Sequence, residues 1–389
     1  MLKFFNFINF TTTILIFLGF YYISFLPQLG FSNSVTIIMR GIVLLFCFIT
    51  FIKFNTNIKK LNLILLLLFL SFYTFRLIND IFFLGLFVGK NSLEVLIFFF
   101  GVTLIPTLSL TNFNLKLIFI KYGKSFYFIF NILSFLILFN NYYGENGRLS
   151  GNSVLNPITV SEIASCSILL NILFFYNFKK KLLITYFANI SFLIVNLLVL
   201  LLSASRGPLL GLITTVLFYL YYNKKIKIKT VLIFLFIFLM LYLFIIIFSD
   251  KLGLVFLNRM VVNTGNGEKP QEERILLWLE GFEIIKNNIL IGSTTTTSLG
   301  YVHNFLIELL MSTGLIGLII FIVPFKAALN NMILHLKNSN IYLQWIGLLF
   351  MLFFVNGLFS SMIWTNNYFF HFFALMLSKP LITNIQIKH

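Results

Sequence analysis

Charge is scarce in this sequence. Only 10% of its 389 residues are charged, and 59% are hydrophobic. Soluble domains carry about 25% charged residues, so the chain cannot build a polar surface to match its size. That excludes the two or three soluble domains its length alone would suggest, and leaves lipid as the solvent. Several signatures of chemistry are missing as well. The sequence contains no G-x-x-x-x-G-K-[ST] loop, no H-E-x-x-H, no D-x-D pair and no G-x-S-x-G elbow, which argues against a nucleotide-driven pump or a zinc protease. The two cysteines, Cys47 and Cys166, both fall inside apolar runs and read as small buried residues, not as a disulfide or a metal site. Alanine is rare, and arginine numbers six beside 22 lysines. Phe, Ile, Leu, Asn and Lys dominate, as in AT-rich coding. The 52 phenylalanines therefore say little about function, while each arginine stands out.

A net charge of +17 would suit nucleic acid if it were gathered in one domain. Instead it comes in short clusters between apolar runs of about 20 residues, the length that spans a bilayer as a helix. No basic domain exists, and nucleic acid is not an expected partner. The pattern predicts helices over 7–26, 34–53, 61–76, 92–110, 121–140, 158–178, 182–202, 208–222, 230–248, 304–324, 341–362 and 366–379, about 12 spans in one transmembrane domain, 1–389. The segment 77–91 reads as a short interfacial or re-entrant piece. Lys3 followed by an apolar run without a small-residue cleavage site reads as a retained first helix.

With the N-terminus in the cytoplasm, 18 of the 22 lysines fall on cytoplasmic segments, and all 11 acids fall outside or at the outer boundary. This agreement with the positive-inside rule sets the expected orientation, with both termini cytoplasmic. The longest hydrophilic stretches, 77–91, 141–157 and above all 249–303, then lie on the outer face, where long loops carry sites more often than short ones. No nucleotide sugar reaches that compartment, so an enzyme there needs a substrate already activated and borne by lipid.

Four residues break the charge trend at the outer face. Arg148 stands in Gly147-Arg148-Leu149-Ser150-Gly151, shortly before Asn156-Pro157. Arg206 stands in the turn Ser203-Ala204-Ser205-Arg206-Gly207-Pro208. Arg274 lies in Glu273-Arg274-Ile275-Leu276-Leu277-Trp278, and His303 in Tyr301-Val302-His303-Asn304-Phe305. An arginine offers a rigid fork of donors suited to phosphate; the plain alternative is an interfacial anchor reaching for head groups. Pro270 can open a helix over about 271–288, with Ile275, Trp278, Leu279, Phe282, Ile285 and Ile289 as an apolar stripe lying at the outer interface. Histidine is the side chain best poised to move a proton near neutral pH. Glu308, in the same helix as His303, matters only if that helix faces a cavity, since a membrane-buried acid is costly unless paired or hydrated. Arg40 is a secondary candidate that could face the bundle interior. His335, His371 and His389 read as bystanders.

In order and spacing, four stretches resemble the superfamily of O-antigen ligases and O-antigen (Wzy-type) polymerases. They are Arg148-Leu149-Ser150-Gly151 through Asn156-Pro157; Ser203-Ala204-Ser205-Arg206-Gly207; Arg274-Ile275-Leu276-Leu277-Trp278 with Ile291-Gly292; and His303-Asn304-Phe305-Leu306 through Gly314-Leu315-Ile316-Gly317-Leu318. The resemblance covers roughly residues 145–325. It implies an all-α, GT-C-like membrane glycosyltransferase in the bacterial inner membrane, with no cofactor and no metal. Its donor would be an undecaprenyl-pyrophosphate-linked oligosaccharide, its surroundings membrane lipid, and a chain-length regulator a possible protein partner. It further implies Arg206 and Arg274 near the donor pyrophosphate and His303 near the reacting hydroxyl, with Arg148, Trp278, Asn304 and Glu308 as substrate-binding candidates. The expected activity is polymerisation of lipid-linked repeats. Transfer of polymer to lipid A core by a ligase is the alternative within the superfamily, and a transporter of lipid-linked oligosaccharide the alternative outside it. Transporters place charges near the midplane and show internal repeats, and neither feature is evident here.

Overall fold

The computed structural model describes Phe7, Leu117 and residues 33–52, 60–85, 92–112, 120–144, 147–151, 155–177, 183–223 and 270–378. The expected spans 7–26 and 230–248, and the 249–269 part of the large loop, lie outside the described residues. The described chain is helical: α1 Asn33–Ile52, α2 Lys60–Phe82, α3 Ser92–Phe98 running through a π-turn at Phe99–Leu104 into α4 Ile105–Leu110, and α5 Gly123–Asn140. Then follow α6 Pro157–Asn177, α7 Leu183–Leu202, α8 Arg206–Asn223, α9 Pro270–Asn287, α10 Phe305–Leu336, α11 Ile341–Ser360 and α12 Asn367–Leu377. No strand occurs among the described residues. Five helices, α2, α5, α6, α10 and α11, are long and apolar enough to cross a membrane, and the shorter apolar helices α1, α3–α4, α7 and α12 pack among them.

The distribution of polarity is that of a polytopic membrane protein. Large apolar side chains such as Phe75, Phe135, Phe139 and Ile319 are exposed on helix flanks, while Asp80, Asn131, Glu162, Asn171, Asn196 and Glu308 are buried. A soluble monomer rarely exposes so much contiguous apolar surface. Inside, polar groups act as glue between helices. Asn131 Oδ1 accepts from Asn171 Nδ2 at 2.9 Å and Asn196 Nδ2 at 2.8 Å, tying α5, α6 and α7. Around α10, α11 and α12 an aromatic core takes over, with Phe305, Phe321, Phe325, Phe350, Phe369 and Phe373 in mutual ring contact. Cys47 and Cys166 are buried and free.

Helix starts follow their capping residues. Asn156 Oδ1 accepts from Thr159 N at 2.8 Å, with Pro157 as the first helical residue of α6. Asn304 and Asn340 cap α10 and α11 in the same way. Two helices run on beyond their expected ends. The helix expected to stop at residue 76 continues to Phe82, because Asn79 and Asp80, polar enough to read as loop, are carried inside the fold. α10, expected to end at 324, continues to Leu336 past Pro324, which a membrane helix tolerates when neighbours re-satisfy the backbone.

α10 is not one continuous rod. Gly314 has φ 61 and ψ −160, a conformation open to glycine, and breaks it after its third turn. The segment 288–293 lies against the break. Leu315 N donates to Ile289 O at 2.9 Å, Ile316 N to Leu290 O at 3.1 Å, and Ser293 N to Met311 O at 2.7 Å. Gly292, with φ +65, makes this approach possible: a Cβ there would collide with the backbone of Met311–Thr313, and one on Gly314 would collide with Leu290 and Gly292. Arg76 of α2 closes the junction from the third side, its guanidinium donating to Ser312 O at 3.1 Å, Ile291 O at 3.2 Å and Gly292 O at 3.1 Å. Buried backbone groups must find partners, and here they do so across three chain segments.

Candidate functional site

The sequence-derived candidates converge on one short stretch, the end of α11 and the turn after it, Phe359–Asn366. Arg274 is exposed on α9, and its guanidinium donates to Phe359 O at 3.1 Å. Arg206 opens α8, and the next residue, Gly207, packs so closely on α11 that a Cβ would strike Ser360 Oγ and Asn356 Oδ1. Arg274 and the residue after Arg206 thus meet consecutive residues of one helix end. The third candidate reaches the same stretch by another route: the His303 ring lies 6.4 Å from Tyr301, whose ring lies 6.1 Å from Trp364.

The Arg206 turn is shaped by its serines and by Arg148. Ala204 sits at φ 48 between Ser203 and Ser205. Arg148 donates through Nε to Ser203 O at 3.0 Å and through a terminal nitrogen to Ser205 Oγ at 2.6 Å. Ser203 Oγ also hydrogen-bonds Ser161 Oγ of α6, and Leu149 N donates to Leu202 O at 3.1 Å. Much of the Arg148 fork is therefore directed at the backbone and hydroxyl that present Arg206. A helix N-terminus with an arginine on it is a ready anion site, since backbone donors and the dipole add to the guanidinium.

The His303 arm, residues 288–304, lacks helix and strand and is held at several points. His303 has φ 49, an uncommon value for a side chain of its size. Such strain persists where the surroundings over-determine it, and both neighbours of His303 are fixed. Val302 is buried and accepts at its carbonyl from Trp278 Nε1 at 2.9 Å. Asn304 uses its side-chain oxygen to cap α10, accepting from Leu306 N at 3.0 Å and Ile307 N at 3.1 Å. Trp278 and Arg274 are one turn apart on α9, so one helix face holds both the arm and the α11 end. On that same side Trp278, Ile284 and Ile285 pack against Val302, Ile307 and Met311, while Ile275, Leu276, Leu279 and Phe282 stay exposed. The expected stripe is thus divided: Trp278 and Ile285 face protein, while Ile275, Leu279, Phe282 and Ile289 are exposed.

Glu308 is sealed inside the protein, with 0% exposure. It accepts from Tyr73 Oη of α2 at 2.5 Å and from Ile363 N at 2.8 Å. Its contact with the site is indirect, through the turn it fixes. Burial, with the Glu308 carboxyl adding to it, pushes the Tyr301 phenol up to about 12, so Tyr301 stays neutral. Glu280 of α9 holds the 297–300 turn, accepting from Ser298 N at 2.6 Å. Partial burial raises its carboxyl, but donors from Ser298, Leu299 and Thr297 outweigh that and leave it below the usual glutamate value.

Three residues of α2 were missed by sequence reasoning: Tyr73, Arg76 and Asp80. Asp80 is fully buried, and its Oδ2 accepts from Thr295 N at 2.5 Å and Thr295 Oγ1 at 2.6 Å. All three lie on one face of α2, and their partners are more than 200 positions away, so no local pattern announces them. The one available signal was the run of polar residues inside an apolar span. Arg40 does not face the interior of the described bundle; it is exposed on α1. His335 and His371 are buried, within hydrogen-bonding distance of the carbonyls of Asn331 and Val102 respectively. Among the described residues no group of three or more His, Cys, Asp or Glu could hold a metal ion.

Residues 191–322 match the family model described as O-antigen ligase. The match supports the superfamily of O-antigen ligases and polymerases. It spans from within α7 into α10, and so includes Arg206, Arg274, Trp278, His303 and Glu308, but neither Arg148 nor the α2 and α11 residues that hold them. No curated protein matches the chain.

Proposed function

Taking that superfamily as premise, we propose that the protein polymerises lipid-linked glycan repeats, moving the chain from an undecaprenyl-pyrophosphate carrier to the non-reducing end of another carrier-linked repeat on the extracytoplasmic face. The observation that carries this reading is that Arg274 bonds Phe359 while Gly207, the residue after Arg206, packs on Ser360, at the helix end whose following turn meets the arm that bears His303. A lipid pyrophosphate is a polyanion, and charge grows on its leaving oxygen as the bond to the sugar breaks. Preorganised guanidinium groups stabilise that growth, each contributing about 1.5–3 kcal/mol through a charge-assisted bond. In the proposed step the acceptor hydroxyl oxygen attacks the anomeric carbon, the carbon–oxygen bond to the pyrophosphate breaks with its electron pair, and the hydroxyl proton passes to His303. Arginine takes the charge-neutralising part that a divalent ion plays elsewhere. The remaining elements of the proposal are about 12 spans, a GT-C-type fold, cytoplasmic termini and an inner-membrane location. The exposed apolar face of α9 would lie on the outer leaflet and guide the lipid towards Arg274.

Arg148, Trp278, Asn304 and Glu308 take supporting parts in this reading. Arg148 shapes the Arg206 turn, Trp278 and Asn304 fix the backbone on either side of His303, and Glu308 braces the turn after α11.

A strain lacking the gene tests the assignment through a gel of its surface polysaccharide. A ladder that collapses to core plus one repeat supports polymerisation. Bare core with long polymer accumulating on the lipid carrier identifies a ligase and overturns the assigned acceptor. Single Ala replacements of Arg206, Arg274 and His303 should each abolish product at unchanged membrane level; near-normal product in any one removes that residue from the site.

A further inference from the structure

We propose that Asp80, assisted by Arg76 on the same face of α2, positions the His303 arm for transfer, so that α2 is part of the working site while contributing no reacting group. The proposal rests on the reading of His303 as the acceptor of the hydroxyl proton. The arm between α9 and α10 has no helix or strand of its own, and a segment of that kind holds a residue in place only where it is tied down. Trp278 ties its C-terminal end at Val302. Glu280 ties its middle at Ser298, and α2 grips its N-terminal end: Arg76 holds Ile291 and Gly292, and Asp80 holds Thr295.

The chemistry of the Asp80 tie points to positioning. A carboxylate buried in a membrane protein is costly, and apolar packing would supply plain cohesion more cheaply. What the carboxylate adds is direction: one oxygen takes both the backbone N–H and the hydroxyl of Thr295, fixing the residue's location and its orientation together. Arg76 repeats the device on the carbonyls of Ile291 and Gly292 and on Ser312 of α10, so the arm is registered against the helix that His303 introduces. With Val302 and Asn304 also fixed, the strained backbone at His303 has no direction in which to relax.

The test uses the full-length protein in proteoliposomes with a lipid-linked repeat as substrate. Asp80→Ala and Asp80→Asn are compared for kcat, KM and the pH profile of kcat. In parallel, Thr296→Cys is placed in each background, with Cys47 and Cys166 replaced, and its reaction with a maleimide is timed; Thr296 is buried in the arm. Displacing a reacting group by about 1 Å costs on the order of a hundredfold in rate. The expected result for Asp80→Ala is such a fall in kcat, with KM within about twofold, an unmoved pH profile and faster labelling. Asp80→Asn keeps an oxygen for both Thr295 donors and should retain kcat within about threefold. Wild-type kcat in Asp80→Ala overturns the proposal. So does an Asp80→Asn variant as slow as Asp80→Ala with a displaced pH profile, since the carboxylate would then handle protons itself. If the wild-type protein transfers no glycan while the labelling difference persists, the functional reading fails and the catalytic part of the proposal falls with it, leaving an anchored loop.

Discussion

The indole N–H of Trp278 donates to the carbonyl of Val302 across 2.9 Å, one residue before His303. Through this bond α9 fixes the backbone beside the residue proposed for proton transfer. Trp278→Phe would keep most of the packing against Val302, Ile307 and Met311 and remove only the donor. A buried carbonyl left unsatisfied costs about 1–3 kcal/mol. The expected outcome in a transfer assay is roughly a tenfold loss of kcat with protein levels near normal; unchanged kcat would mean that the bond does not restrain His303.

Arg148 and Arg206 should act as one unit. Arg206→Ala is expected to lower kcat about 10²–10³-fold, as removal of a charge-stabilising donor does. Arg148→Ala should cost less, because it loosens the Ser203–Ser205 turn without removing the cation. The double variant should then be no slower than Arg206→Ala alone, the non-additivity expected of residues that share one task. Multiplying losses would show that Arg148 meets the substrate independently.

Glu308→Gln tests how the turn after α11 is braced. Both carboxylate oxygens accept, one from Tyr73 Oη and one from Ile363 N. An amide can keep both contacts only by turning its oxygen to Ile363 N and donating its NH₂ to the Tyr73 oxygen, which reverses that bond and loses the carboxylate's stronger pairing. The expected destabilisation is about 1 kcal/mol, read as a lowered Tm in detergent. Tyr73→Phe in the same background should lower Tm further, because the buried NH₂ then loses its acceptor.

Acid should loosen the 297–300 turn through Glu280. Its folded carboxyl lies below the ordinary value of 4.5. A depressed carboxylate contributes stability that is present above the unfolded value and lost as pH falls through the folded one. Labelling of a cysteine at Thr296, divided at each pH by that of the same cysteine in the Glu280→Gln variant so that the falling thiolate fraction cancels, should therefore rise as pH drops below 4.5. A ratio that stays flat would show that Glu280 does not hold the turn.

Gly292→Ala and Gly314→Ala should each remove the protein from the membrane. Both glycines have φ near +60°, and a Cβ on either meets backbone. Strain of about 1–3 kcal/mol for the backbone conformation alone adds to a collision that no side-chain rotation relieves. Membrane levels by immunoblot give the readout, and a well-expressed, heat-resistant variant would show that the junction can open.

What the sequence made legible depended on whether the physics was local. Helix starts at Pro157, Pro270 and Phe305 carry their own signals, an Asn cap or an opening proline, and the structure places them within a residue or two of expectation. Apolar runs of spanning length located most of the other described helices nearly as well. Misplaced boundaries came where tertiary partners overrode composition: Asp80 continues a helix because Thr295 satisfies it, and Pro324 because the surrounding bundle tolerates it. Among the site candidates, Arg206, Arg274 and His303 stood out by type and side of the membrane. Arg148 was noticed for the same reasons, and Trp278 and Asn304 through the family-like stretches they stand in, but whom they touch is a question of folding, and each turns out to touch backbone. Arg76 ends an apolar run and Asp80 stands in the polar stretch after it, and their partners are visible only once α2 is laid beside α10 and the arm before it.

The interlocked glycines have a last consequence, which concerns length. Because the backbone at Gly292 seats in the break at Gly314, the chain between them is a closed ring shut by main-chain contacts. A ring of this kind has a fixed circumference. One residue inserted between 293 and 313 would throw Thr295 out of reach of Asp80 or turn His303 away from Tyr301, and no substitution elsewhere could restore the count. The arm that carries the imidazole is gauged as well as anchored: its stock of residues is as much a part of the site as the side chains it presents.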